Sequence, residues 1–276
     1  MKMTLTALAT VLACVALTMP AVAGSAAFDH TYSVLARVLA AHVEGPRVDY
    51  ASLKAQRASL DAVAASFDAA DARGEAGWTR EQRMAFWINA YNAFTLRAIV
   101  DHYPIRSSLF TLQPRNSIRQ IGDVWTARGW RAGGRAVSLD DIEHKILRPE
   151  FNDARIHFAV NCASVGCPPL AAEPYRAATL DAQLDAAGRR YLGSPQGLQA
   201  GGDTLRVSSI FKWYGEDFIK TYAPIAPAGP DPATRAVLGA VMRFGPSGAA
   251  SLAKSGRARV VFLDYDWSLN DVTRAR

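Results

Sequence analysis

Two cysteines lie five residues apart in the stretch RIHFAVNCASVGCPPL, which spans Arg155–Leu170. Ionised as a thiolate, Cys162 or Cys167 would be a strong nucleophile or a metal ligand. Paired with each other, the two would form a disulfide that closes a short loop. Gly166 and Pro168-Pro169 disfavour a helix here, so they predict a stiff connection. The chemistry of this loop therefore depends on whether the thiols are free.

A thiolate at neutral pH needs a neighbouring base, and His144 is the imidazole that we assign to this role. Ser138 and Asp141 have the spacing of a capping box, which predicts a helix over Leu139–Arg148 that ends at Pro149. At 100° per residue, Glu143 lies on the apolar face of this helix and His144 at its edge. An acid on a core-facing position indicates either a functional group or a buried ion pair, for example with Arg97 or Arg155.

His157 is closer to Cys162 in sequence than His144 is. However, alternating apolar and polar residues predict a strand over Arg155–Asn161, and a regular strand would place His157 and Cys162 on opposite faces, roughly 16 Å apart. We therefore expect His157 to be a poor base for this thiol.

The group that orients the imidazole could come from the same helix, as Asp140 or Asp141, or from Asn89 or Asn92. These two asparagines share one face of a strongly apolar segment. Because buried amides must find hydrogen-bond partners, an alternative is that Asn89 and Asn92 only bind the backbone of neighbouring loops.

Three chemistries of the cysteine loop remain open. The first is a cysteine hydrolase or acyl transferase with Cys162 as nucleophile and His144 as base. The second is a structural Cys162–Cys167 disulfide, which would still allow acid–base chemistry by Glu143 and His144. The third, which we rank last, is a metal site that adds His144 or His157 to the cysteines; no second set of paired ligands supports it. We predict no cofactor and no bound metal.

The elements that would hold these residues indicate a single α+β domain. Thr79 and Gln82 form a second capping box, and the helix that follows, Arg80–His102, is apolar on nearly all sides. It is therefore predicted to be a central, buried helix within a helix-rich N-terminal half. Shorter segments predict a small mixed or antiparallel sheet; the remaining elements are helices over 28–43, 51–70, 180–192, 209–222 and 233–244, a hairpin over 130–137, and strands over 204–207 and 259–265.

The N-terminus has the pattern of a signal peptide over residues 1–23. Lys2 precedes an apolar run, and Ala21-Val22-Ala23 resembles a cleavage site. Lipid attachment at Cys14 is the alternative that we rank second. The remaining residues, 24–276, are predicted to form one globular domain that is periplasmic or secreted, with no transmembrane segment.

The composition argues against some partners. The formal net charge of +6 becomes +5 without Lys2, and no run of basic residues alternates with aromatic ones. We therefore expect no nucleic-acid partner. The partner remains unknown, with a peptide or cell-envelope ligand as the hypothesis. The aromatic residues of SIFKWYGEDFIKTY could bind such a ligand, although their helical spacing favours core packing.

Five phrases together resemble the domain of unknown function 547 family (DUF547), from about Val48 to residue 276. They are AFWINAYNAF, SLDDIEHKILR, RIHFAVNCASVGCPPL, IFKWYGEDF and YDWSLN. The resemblance implies one domain, here in a bacterial exported form without the coiled-coil segments of plant relatives. It also implies that any site lies within these phrases, but it implies no particular activity.

The function that we infer is hydrolytic or transfer chemistry on a peptide or cell-envelope substrate. Its candidate residues are His144, Glu143, Cys162, Asn89 and Asn92. The alternative is a non-catalytic binding or assembly module of the cell envelope, with a structural disulfide.

Overall fold

The computed structural model describes residues 28–70, 75–106 and 113–272, so the predicted signal peptide lies outside the described residues. The chain is an α+β domain in which helices predominate. The helices are α1 (Ser33–His42), α2 (Tyr50–Ala55), α3 (Arg57–Asp68), α4 (Arg80–His102), a π-helix (Asp141–Leu147), α5 (Arg148–Phe151), α6 (Ile156–Ala159), α7 (Leu180–Leu192), α8 (Ile210–Trp213), α9 (Gly215–Tyr222), α10 (Pro232–Phe244) and α11 (Ser247–Lys254).

The strands form small, separate sheets rather than one continuous layer. Two antiparallel hairpins, β1–β2 and β3–β4, flank the helices of the N-terminal half, and a three-stranded mixed sheet has the order β5-β6-β7. In this sheet β5 and β6 are antiparallel and β6 and β7 are parallel. The strands are β1 (Val43–Glu44), β2 (Arg47–Val48), β3 (Trp130–Ala132), β4 (Arg135–Val137), β5 (Leu198–Gly201), β6 (Thr204–Val207) and β7 (Arg259–Phe262).

Helix α4 is the centre of the larger hydrophobic core, as predicted. Every residue from Met84 to Leu96 is buried, which requires neighbours on all sides of the helix. The reciprocal capping bonds between Thr79 and Gln82 are present at its start. A fully buried helix has few alternative positions, so α4 is a rigid support for the loops that contact it.

A second core cluster lies in the C-terminal half. It joins α7, α9 and α10 to β6 through large side chains such as Phe158, Phe218 and Phe244. Phe158 is completely buried within this cluster, whereas its neighbour Val160 belongs to the first. The segment before the cysteine loop therefore passes from one core to the other.

The prediction of a strand over Arg155–Asn161 is wrong. Residues Ile156–Ala159 form the single helical turn α6, and only Val160 returns to an extended conformation. The Asp153 carboxylate accepts a hydrogen bond from the backbone N–H of Arg155, which favours a turn at this point. All residues from Ile156 to Val160 are buried, so the alternation of apolar and polar residues in this segment does not mark one side that faces solvent.

Other predicted boundaries also shift. The long helix over 51–70 is interrupted at Gln56, and Pro149 does not end its helix, because proline at the start of α5 needs no N–H partner. The segment 209–222 divides into α8 and α9, and β7 ends at Phe262. Within the described residues, no helix combines the length and the apolar character that crossing a membrane requires.

Candidate functional site

A small cavity of about 80 Å³ lies where the two core clusters meet. Glu143, His157, Cys162 and Cys167 all line it, although they come from the π-helix, α6 and the cysteine loop. The remaining lining residues are largely aromatic or apolar: Tyr91, Val160, Pro168, Ile210, Trp213, Tyr214, Tyr265 and Trp267. Ionisable groups in an apolar cavity are typical of a functional site.

A larger cavity, of about 220 Å³, lies between α1 and α3. Its lining is mainly apolar, and its one acid, Asp29, already accepts hydrogen bonds from Thr31 and Ser33. Among the described residues that line it there is no cysteine and no histidine. We therefore place the candidate site at the smaller cavity, where the reactive side chains converge.

The surroundings of Cys162 favour the thiolate form of its side chain. Burial by itself raises the pKa of this thiol, but hydrogen bonds from Cys167, Ser164 and Tyr265 outweigh it and lower the pKa to about 7. The Ser164 hydroxyl lies 3.0 Å and the Tyr265 hydroxyl 3.3 Å from Sγ. A sulfur surrounded by donors is stabilised in its charged form, so a large fraction of Cys162 is ionised at neutral pH.

Cys167 has the opposite character. It is only 6% exposed, and burial together with the negative charge of Cys162 raises the pKa of its thiol. Its Sγ accepts a hydrogen bond from the backbone N–H of Cys162 at 2.9 Å. Both thiols are free, so the predicted disulfide between them is not formed in this structure.

The cysteine loop is held by amides. Asn92 of α4 donates to the carbonyl of Ala159 and accepts from the N–H of Asn161, at 3.0 and 2.8 Å. Asn161 in turn donates to the carbonyl of Pro168 and accepts from the N–H of Ala163. These bonds fix the backbone on both sides of Cys162, and Ala163 adopts a left-handed conformation with φ of 59°.

His157 forms a charged network with Asp217 of α9. Its Nε2 lies 2.7 Å from the Asp217 carboxylate, which also accepts two hydrogen bonds from the Arg148 guanidinium. Burial raises the pKa of Asp217, but these bonds prevail and hold it well below its usual range. Asp217 thus fixes the imidazole in one orientation, and the ring of Tyr214 stacks on it at 4.1 Å between centroids.

Glu143 faces the other nitrogen of this imidazole. Its Oε1 lies 3.9 Å from Nδ1 of His157, and its carboxylate is a hydrogen-bond partner of Tyr214. In the described part of the chain it has no arginine partner: Arg97 pairs with Asp61 and Asp101, and Arg155 pairs with aspartates. The alternative of a buried ion pair to either arginine is therefore wrong. The π-helix turns Glu143 inward, and π-helical turns are frequent at functional sites.

His144 and the two asparagines of α4 are not grouped around the thiol. His144 is 38% exposed, lies near Asp140 and Arg148, and does not line the cavity. Asn89 exchanges both its bonds with the backbone of Tyr175. Both amides therefore bind loop backbone, the alternative described above, and the imidazole at the cavity is that of His157 rather than His144.

Sequence reasoning gave no role to Asp217 or Tyr265 and considered Tyr214 only as one of several aromatic residues that could bind a ligand. The phrases IFKWYGEDF and YDWSLN contain all three, so the family resemblance was the signal that could have found them. Their distance along the chain from Cys162 gives no indication of contact, since only the fold brings them together.

The prediction of core packing was correct for Phe211 and Phe218, which are buried, while Trp213 is 45% exposed at the cavity. In the described ranges no cluster of three or more His, Cys, Asp or Glu side chains could hold a metal ion.

Comparison with known families gives one match. Residues 76–192 match the sequence model of the family described as "Protein of unknown function, DUF547". This match assigns residues 76–192 of the chain to the DUF547 family. No curated protein and no solved structure matches the chain. The matched DUF547 segment includes Glu143, His157, Cys162 and Cys167, whereas Asp217 and the aromatic residues after it lie beyond its end.

Proposed function

We propose that this DUF547 protein is a cysteine-dependent acyl transferase or hydrolase. The observation that carries the proposal is the arrangement of a donor-stabilised thiol, Cys162, in the same cavity as an imidazole that is oriented by a carboxylate. A nucleophile, a base and a group that orients the base are the parts that acyl transfer through a thioester requires.

In the first step, the Cys162 thiolate attacks the carbonyl carbon of an ester or amide and forms a thioester. The leaving group departs with a proton. His157 can supply that proton from Nδ1, because Nε2 is already engaged by Asp217 and Nδ1 makes no hydrogen bond to the described residues. Water or a second acceptor then attacks the thioester, with the same nitrogen as base.

Two hydroxyls lie where negative charge would develop. Ser164 and Tyr265 both contact the Cys162 sulfur, so they are close to the oxygen of any carbonyl attacked by it. When the thiolate charge is consumed, these donors become available to the oxyanion. Glu143 and Tyr214 also line the cavity and would contact the leaving group or the incoming water.

The substrate class that we propose is a peptide or cell-envelope acyl group. The cavity is too small for more than the reacting group, so the rest of the substrate would lie outside, against Trp213 and Trp267. These rings stack at 5.7 Å, and the guanidinium of Arg119 covers Trp267. An envelope substrate is consistent with export, which the sequence pattern of residues 1–23 predicts.

An acylation experiment tests this function. The reduced full chain is incubated with p-nitrophenyl acetate, release of p-nitrophenol is followed, and the protein is digested and weighed. We expect a burst of product and one acetyl group on the peptide that contains Cys162. The variant Cys162→Ala should lose the burst. His157→Gln should keep the burst but lose the turnover that follows it, because p-nitrophenolate leaves without a proton and the imidazole is needed as base for hydrolysis of the thioester. His144→Gln should keep both. Acetylation only at other residues, or an unchanged burst in Cys162→Ala, would refute the proposal.

The second candidate is a binding module of the cell envelope, favoured by one observation. Trp213 is a large, exposed aromatic side chain, and it forms a cluster with Tyr265 and Trp267 at the cavity mouth. Such surfaces often mark binding sites. If binding is the whole function, Cys162→Ala should bind purified cell-wall sacculi as well as the parent protein, with no covalent product in either.

A further inference from the structure

Cys167 has no part in the acyl chemistry, although it is in direct contact with the nucleophile. The backbone N–H of Cys162 donates a hydrogen bond to Sγ of Cys167 at 2.9 Å. A second free thiol is an unusual choice for such a position if only a hydrogen bond is needed. Its specific chemical property is that it can form a covalent bond with an oxidised Cys162.

The surrounding loop fixes Cys167 in this position. The N–H of Cys167 donates to the carbonyl of Ser164, and the N–H of Gly166 donates to Asp266 at 2.8 Å. Gly166 also accepts from the hydroxyl of Tyr191, and a Cβ at position 166 would lie 3.0 Å from the backbone N of Asp266. The loop is therefore closed tightly, and rotation about the Cα–Cβ bond of Cys162 is the movement that brings the sulfurs together.

Cys162, in contrast, can be reached from solvent. It lines the cavity and is not fully buried, and Tyr265 and Ser164 stabilise its thiolate. Redox-sensitive cysteines combine these three properties: thiolate character, accessibility and a neighbouring resolving thiol. A purely structural disulfide needs none of them.

We propose that Cys162 is a site of reversible oxidation by hydroperoxides and that Cys167 is its resolving thiol. The Cys162 thiolate attacks the terminal oxygen of the hydroperoxide, the O–O bond breaks, and the alkoxide or hydroxide that leaves takes up a proton from solvent. Cys162 becomes a sulfenic acid. The sulfur of Cys167 then attacks the sulfenic sulfur, the S–O bond breaks, and hydroxide leaves with the Cys167 proton as water.

The sum of the two steps is one hydroperoxide and two thiols converted to one alcohol or water, one further water and a disulfide. An external dithiol restores both thiols by exchange. The disulfide has a consequence for the proposed function, because Cys162 cannot attack a carbonyl while it is bound to Cys167. Oxidation itself does not require the acyl chemistry, so the two proposals can fail independently.

The test uses the reduced full chain and hydrogen peroxide as the probe. One equivalent is added without other thiols, and intact mass, free-thiol content and a peptide map are recorded before and after dithiothreitol. We expect the loss of two hydrogens, a Cys162–Cys167 linked peptide and complete recovery on reduction. Two intact thiols after this treatment, or sulfinic acid at Cys162 as the first product, would overturn the proposal.

The variant Cys167→Ser separates resolution from reactivity. It should form a sulfenic acid that dimedone traps, and with excess peroxide it should reach sulfinic acid at least about tenfold faster than the parent chain. Cys162→Ser should leave Cys167 unoxidised, because burial keeps that thiol protonated. Circular dichroism of both variants checks folding, and the peptide map of the parent chain decides the question if either fails to fold. Equal over-oxidation of parent and Cys167→Ser would also overturn the assignment.

Discussion

The thiol of Cys162 owes its acidity to a small number of identifiable donors. Burial alone would keep it protonated, and the contacts from Ser164 and Tyr265 oppose this effect. Each lost donor therefore shifts the equilibrium of Cys162 from the thiolate toward the neutral thiol. The effect of a single substitution on the pKa of Cys162 can therefore be measured from the pH dependence of the reactivity of this thiol.

Tyr265→Phe should raise the pKa of Cys162. The rate of alkylation by iodoacetamide, followed by mass mapping as a function of pH, should have its midpoint at about pH 7 in the parent chain. Loss of one donor should move this midpoint up by roughly one pH unit, since one unit corresponds to about 1.4 kcal/mol. Tyr222→Phe is the matched control, because Tyr222 does not line the cavity. An unchanged midpoint in Tyr265→Phe would show that its hydroxyl does not stabilise the thiolate.

Asp217 should affect both reactivity and stability. Asp217→Asn removes the negative charge between His157 and Arg148, so we expect hydrolysis of the thioester formed from p-nitrophenyl acetate, which needs His157 as base, to slow on the order of a hundredfold. Unfolding by urea at neutral pH should show a loss of about 2 kcal/mol, as expected when charged hydrogen bonds are broken. Glu216→Gln, at the exposed neighbouring position, should change neither measurement.

The stability difference should depend on pH with a definite sign. The pKa of Asp217 is lower in the folded chain than in the unfolded chain, where it is about 3.9. Its contribution is therefore complete above that value and decreases as the pH falls toward the folded pKa. The difference between the parent chain and Asp217→Asn should be smaller at about pH 3 than at about pH 6. A difference that is constant over this range would contradict the assigned network.

At the scale of elements, the sequence predicted the central helix α4 well and the short turn before the cysteine loop badly. Arg80–His102 has many apolar residues and a capping box, so local and tertiary preferences agree. The segment Ile156–Ala159 is only one turn long and buried on all sides, so its pattern of apolar residues could not distinguish a helix from a strand. The consequence was the wrong imidazole: a strand turns His157 away from Cys162, whereas the helical turn places it in the same cavity.

The packing of α9 on α10 positions Asp217, and Gly239 makes this packing possible. A Cβ at position 239 would lie 2.0 Å from the carbonyl oxygen of Tyr222, the last residue of α9. This clash is with backbone, so it cannot be relieved by a side-chain rotation. The absence of a side chain at Gly239 therefore determines how closely the two helices approach each other.

Gly239→Ala should destabilise the protein although alanine is the better helix former. We expect a loss of roughly 1–3 kcal/mol in urea unfolding, because one helix must move to relieve the overlap. Gly248→Ala in α11 is the matched control: a Cβ there meets nothing within 4 Å, and we expect a gain of about 0.5 kcal/mol. If both variants gained stability, the close contact between α9 and α10 would be disproved.

At the scale of the whole molecule, the candidate site is assembled from distant parts of the chain. Residues 76–192, which match the family, provide the thiols, the imidazole and Glu143. The carboxylate that orients His157 and the hydroxyl beside Cys162 come from Asp217 and Tyr265. Neither could be assigned from spacing, because contacts between residues this far apart depend on the complete fold rather than on local pattern.

The C-terminal segment, residues 264–272, is hydrogen-bonded to the cysteine loop. The N–H of Asn270 donates to the carbonyl of Ala163 at 3.1 Å, and the N–H of Val165 donates to the carbonyl of Ser268 at 2.8 Å. The carbonyl of Asn270 also accepts from the N–H of Val48, so the same few residues join the cysteine loop to β2. This segment therefore connects the cysteine loop to the N-terminal half of the domain.

A chain that ends at Leu263 should fold less stably and lose the protected environment of Cys167. It lacks Tyr265 and the backbone partners of the cysteine loop, so we expect a lower Tm and alkylation of Cys167 under native conditions at neutral pH. A chain that ends at Val272 keeps these bonds and is the matched control. Thermal unfolding and the time course of iodoacetamide labelling measure the two effects separately. If Cys167 stayed protected in the shorter chain, the loop would be held by α4 and Asn92 alone, and the C-terminal segment would serve only to supply Tyr265.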